Sequence, residues 1–159
     1  MRVNLLMLAL TLSVTTVAYA AAPAAPQLRL GDIQAQLYFS WSGRFSDDLL
    51  RRNPQFSGWN TCIDDGAPND VLVSVPVNAV IRSGQDGQTN SSVPIILIAR
   101  AGGKVIGQRT VTNILTSHQG VAHSVLWLRD VTCGVGTVTI EARMGNQRKT
   151  ASLVFDGGE

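Results

Sequence analysis

Beyond residue 20 the sequence has no long apolar run, so no later segment offers the roughly 20 residues that a membrane-spanning helix needs. Lysine is scarce, and charge is almost balanced at 13 Lys and Arg against 11 Asp and Glu, a formal net charge of +2. No basic run tracks a phosphate backbone, which excludes nucleic acid as the expected partner. A Gly-x-Ser-x-Gly elbow is missing, and Gly134-Val135-Gly136 opens a strand, where a phosphate cradle would open a helix. No histidine follows Cys133, as a copper site built on that thiolate would require.

The first segment reads as a secretory signal. Arg2 supplies a positive start, Leu5 to Val17 an apolar stretch, and Ala18-Tyr19-Ala20 the small residues at −3 and −1 of a cleavage site. Residues 1–20 are therefore expected to be removed on export, and the formal charge falls to +1 with Arg2. An Ala/Pro linker covers 21–27, and a single domain is expected over 28–156. Export to the periplasm or the exterior places the two cysteines, Cys62 and Cys133, in an oxidising compartment where a disulfide is expected.

Period-two alternation dominates the chain from Ile33 onward. Ile33, Ala35, Leu37, Phe39 and Trp41 share one face, with Gln34, Gln36, Tyr38 and Ser40 on the other. Val71, Val73, Val75, Val77, Ala79 and Ile81 repeat the pattern, with Pro76 predicting an edge strand or a bulge because proline cannot donate to a ladder. Residues 93–99 are apolar on both faces, as in a central strand. Gly102-Gly103 and Gly145-Asn146 suit tight hairpins. The return strand 104–112 slips in alternation around Gly107, the mark of a bulge. Ser124 to Leu128 and the alternating Val138, Ile140 and Ala142 then Ala151, Leu153 and Phe155 complete seven strands. Trp41 and Trp127 read as core. A short helical turn is expected after Ser46, with Asp47 and Asp48 first, Arg51 and Arg52 last, and Pro54 as its stop. The fold class is all-β, an antiparallel sandwich with a long loop between its first two strands.

If 71–81 and 135–144 are the second and sixth of seven alternating strands, they run in one direction and start at one end of the sandwich. Cys133 precedes one start and Cys62 lies in the loop leading to the other, so the two can reach disulfide distance. Pro76 and Gly107 both discourage edge-to-edge pairing, and a monomer is expected.

The stretches Ala101-Gly102-Gly103-Lys104-Val105, Gly136 to Ala142 and Thr150 to Phe155 resemble the paired-strand hairpins of bacterial immunoglobulin-like modules. The likeness covers the C-terminal two-thirds and implies a fold, not an activity. The cysteines depart from the antibody pattern, since they precede strands and do not sit within them.

The loop over 42–70 holds the candidate site residues. Trp59, Phe56, Asn60 and Arg44 could stack on a sugar or clasp a peptide, or the two rings could close the end of the core. Asp64, Asp65 and Asp70 gather oxygen ligands around a glycine turn, suited to calcium but without EF-hand spacing. His118 and His123 could meet across a turn, without an evident third metal ligand. No catalytic group is singled out, and no cofactor is implied apart from calcium. The expected function is a non-enzymatic exported module that binds a protein or glycan partner of the envelope or secreted fraction. A glycan- or calcium-binding sandwich using the 42–70 loop is the alternative, and a small hydrolase the third reading.

Overall fold

Val71, Val73, Val75 and Val77 are completely buried, and the residues between them are not, so the alternation in the sequence becomes a strand with one face in the core. A computed structural model describes residues 28–40, 42–51, 69–81, 83–84, 86–131 and 135–155. The signal segment, Trp41, Phe56, Trp59, Asn60, Cys62, Asp64, Asp65 and Cys133 lie outside the described residues.

Among the described residues eleven strands replace the seven expected: β1 (Leu28–Leu30), β2 (Gln34–Phe39), β3 (Arg44–Phe45), β4 (Asn69–Ala79), β5 (Asn90–Ser91), β6 (Ile95–Ala101), β7 (Lys104–Val111), β8 (Ile114–Leu115), β9 (Val121–Val131), β10 (Gly136–Met144) and β11 (Gln147–Phe155). The excess comes from short pieces, β1, β3, β5 and β8, of two or three residues each. All pairings are antiparallel. One sheet is built on β4, which pairs with β9 along one edge and with β2 and β1 along the other; β3 pairs with β2. The second sheet runs β11-β10-β6-β7, and β5 pairs with β8 as a separate ribbon. Between the sheets lies one apolar cluster, fed by Ala35, Leu37 and the β4 valines from one side and by Leu97, Ile140 and Phe155 from the other.

Pro76 corrects the edge-strand reading, because it sits in a strand paired on both edges, while an irregularity does occur opposite it, where residues 31–33 of the neighbouring segment face Val75 and Pro76. The Pro76 carbonyl accepts from the Gly31 N–H at 2.7 Å. The amide nitrogen and carbonyl of a strand residue face the same edge. The missing N–H therefore points toward β1 and β2, where the ladder is broken between Leu30 and Gln34. A central strand thus carries a proline by interrupting its neighbour. Gly31 closes that gap: a Cβ there would lie 2.5 Å from Pro76 Cγ.

The expected helical turn is also corrected, since no helix occurs among the described residues. Ser46 and Asp48 serve the free edge of β2 instead. Ser46 Oγ accepts from the Leu37 N–H at 3.0 Å, and Asp48 Oδ1 from the Ala35 N–H at 2.9 Å. The Ser46 and Leu49 amides donate in turn to the Leu37 and Ala35 carbonyls at 3.0 and 2.7 Å. Side chains suited to capping a helix here satisfy a sheet edge, which leaves fewer free donors for another chain to pair with.

The two corners of the sandwich close differently. Gln147 donates from Nε2 to the Leu28 carbonyl at 2.8 Å and accepts from the Leu30 N–H at 2.9 Å, tying β11 to β1. At the other corner Gly107 of β7 meets Leu128 of β9, and Arg109 donates to the Val125 carbonyl at 3.0 Å. The bulge expected at Gly107 is present: Ala99 faces Gly107 while Arg100 faces Val105, leaving Ile106 unpaired. Both hairpins turn where expected, with Gly102 and Gly103 at positive φ and Gly145 at φ 57°.

Gly31→Ala should force the Pro76 ring or the first strand to move, at a cost of about 1–3 kcal/mol. Ser152→Ala, on an exposed position, should stay within about 0.5 kcal/mol. Urea denaturation of the two variants checks this, and an unchanged midpoint for Gly31→Ala would show that the break does not close on Pro76.

Candidate ligand-binding site

With Ala35 and Leu37 in the core, the intervening Gln36 and Tyr38 of β2 must face outward. The same parity turns Asp70 and Leu72 of β4 outward, because Val71 and Val73 are buried. On β9, Leu126 and Leu128 are buried, so Trp127 points to solvent and is 37% exposed. This corrects the core reading of Trp127. Its size argued for burial, while the parity of its leucine neighbours fixed its face.

The register then gathers rings. Tyr38 pairs with Phe45 on one side and with Asp70 on the other, and Leu72 lies opposite both Gln36 and Trp127. Ring centroids stand 5.1 Å apart for Tyr38 and Phe45, 5.4 Å for Tyr38 and Trp127, and 6.2 Å for Phe45 and Trp127. These separations fall within the range of favourable tilted and edge-to-face contacts. Trp127 Nε1–H donates to Asp70 Oδ2 at 2.7 Å, which fixes the indole on the sheet. β9 spends Leu128 to Val131 against only Val71 to Asn69 of β4, and this irregularity beside Trp127 returns Val131 to the core. The result is a solvent-facing aromatic platform held by cross-strand packing and one charge-assisted hydrogen bond. Phe45 contributes a ring that is 44% exposed.

Of the residues expected to bind, Arg44 is described. It is exposed on β3 beside Phe39, on the opposite face from Phe45. Asp70, expected as a calcium ligand, accepts the hydrogen bond from Trp127 Nε1. Among the described residues no group of three or more His, Cys, Asp or Glu could hold a metal ion.

The histidines do not share a site. His118 Nδ1 meets Asp86 at 3.0 Å in the turn before β9. Asp86 is held below its ordinary carboxyl value, first by the Gln88 backbone N–H and then by His118. Thr116 ties that turn together: it is buried, and its hydroxyl donates to the Gly87 carbonyl at 2.6 Å and accepts from the Thr89 N–H at 2.9 Å. His123 lies on β9 and meets Ser74 of β4 at 3.2 Å. This is a hydroxyl and an imidazole in contact on an open sheet face. Among the described residues no carboxylate orients His123, as the triad arrangement requires.

Asp32 is also held below its ordinary carboxyl value, by its hydrogen bond and then its charge contact with Lys149. It sits at the β1–β11 corner and adds to the closure there.

No family model matches the chain, and no curated protein or solved structure matches it either. The functional reading is therefore carried by the residues alone.

Proposed function

We propose that the chain is a non-enzymatic, exported binding module of the bacterial envelope or secreted fraction, and that its ligand surface is the aromatic platform on the first sheet. One observation carries this reading: three rings converge on a solvent face where the core does not need them. Aromatic faces of this kind stack on the C–H faces of sugars, and an indole whose N–H is already satisfied presents its face as a rigid apolar surface. The ligand class best suited is a neutral glycan. The immunoglobulin-like reading of the sandwich is kept as part of the proposal, supported by two antiparallel sheets and the β6–β7 and β10–β11 hairpins. Export rests on the signal-like features of residues 1–20.

Screening the mature protein on a glycan array, followed by calorimetry with the oligosaccharide that binds best, tests the ligand surface. Trp127→Ala should lower that affinity by at least tenfold, about 1.4 kcal/mol. Undiminished binding by Trp127→Ala would refute the platform as the site. No saturable glycan binding would refute the ligand class.

We also infer a disulfide between Cys62 and Cys133. Its support is the placement of flanking residues. Asn69, where β4 starts, lies opposite Val131, and Val131 lines the same cavity as Val135 at the start of β10. In the sequence Cys62 precedes β4 and Cys133 precedes β10, and the described starts of those two strands lie at the same end of the sandwich. Closing a loop of roughly 70 residues would stabilise the fold by about 4 kcal/mol in the chain-entropy model. Non-reducing peptide mapping should recover one linked peptide pair. Two alkylatable thiols in the native exported protein would contradict the bridge.

A further inference from the structure

Glutamate occurs only at positions 141 and 159. Glu141 lies between Ile140 and Ala142, both completely buried, so its side chain points away from the core. It is nevertheless only 5% exposed. Two arginines cover it: Arg143 donates from Nε to Glu141 Oε1, and Arg148 donates from Nη2 to Oε2 at 2.8 Å. Arg143 and Arg148 stand directly opposite each other on β10 and β11. Like charges in such a pair repel, and the shared carboxylate relieves the repulsion while leaving one positive charge uncompensated.

Arg100 adds another. It lies on β6 opposite Thr139, on the same outer face, and has no acidic partner among the described residues. Arg100, Thr137, Thr139, Glu141, Arg143 and Arg148 line one open depression of about 470 Å³. Three arginines against one glutamate leave +2 in this depression, equal to the formal charge of the whole chain. The threonine hydroxyls supply further donors between the cations.

We propose that this face of the second sheet binds an acidic glycan, a sugar chain carrying carboxylate or sulfate groups. Charge complementarity selects an anion, and guanidinium forks match planar and tetrahedral oxyanions. Extent selects a polymer over a single small anion. Thr139, beside Arg100, and Arg143 are four residues apart along β10, about 13 Å at strand rise. The lining of the depression contains no aromatic ring on which a base could stack, which disfavours single-stranded nucleic acid. The surface belongs to a different sheet from the aromatic platform and does not depend on it.

Arg100 gives the cleanest test, because no partner is left unpaired by its removal. Calorimetry of the mature protein with alginate and heparin oligosaccharides at about 50 mM salt should show binding to at least one. A preference for alginate assigns carboxylates as the recognised groups, and a preference for heparin assigns sulfates. Arg100→Ala should weaken binding about tenfold, with Arg100→Lys in between. Arg29→Ala, which removes an exposed charge from the first sheet, should leave the affinity within about twofold, and circular dichroism should show all three variants folded. Absence of binding to both polymers would overturn the proposal. Equal losses in Arg100→Ala and Arg29→Ala, or equal affinity for DNA of matched length, would do the same by showing nonspecific charge attraction.

Discussion

β4 is hydrogen-bonded along both edges and buried on one face, so each of its backbone groups must find a partner within the sheet. Pro76 breaks that requirement at one nitrogen. The fold meets the constraint by interrupting the neighbouring strand at Gly31 to Ile33, so the absent donor faces a gap and the Pro76 carbonyl still receives a hydrogen bond. β1 and β2 are in this sense one strand parted around a proline. The same economy of backbone partners appears at the β2 edge, where Ser46 and Asp48 occupy donors that a further strand would otherwise take.

A frame fixed in this way leaves two outward faces of opposite character. On the first sheet, the register of β2, β4 and β9 assembles Tyr38, Phe45 and Trp127 around one indole–carboxylate bond. On the second, β6, β10 and β11 assemble arginines and threonines around one buried glutamate. Neither set contributes to the apolar core, and each is positioned by alternation plus strand register. The two proposed ligand surfaces, for neutral and acidic sugars, arise from that division.

Much of the fold is legible in the sequence because period-two burial is a local property. The valines of β4, the apolar run of β6, the Gly102-Gly103 hairpin and the slip at Gly107 each announce themselves within a few residues. Pro76 could not be placed, because its accommodation depends on a gap some 45 residues upstream in the chain, on a strand that pairs with it only after folding. Ser46 and Asp48 mislead for a related reason: the chemistry that caps a helix is the chemistry that satisfies a strand edge. Trp127 is within reach of the sequence, since Leu126 and Leu128 fix its parity, although ring size alone points to the core. The convergence of Tyr38, Phe45 and Trp127 needs the register of three strands, as does the meeting of Arg100 with Arg143 and Arg148. No local pattern encodes either.

Amide hydrogen exchange tests the central role of β4 most directly. The amides of Val71 to Ser74 and of Val77, in stretches paired on both edges of a strand packed on the core, should be among the slowest to exchange, approaching global unfolding. Those of β7, paired on one edge and largely exposed, should exchange faster. Protection in β4 no greater than in β7 would contradict a sandwich organised around a doubly paired strand.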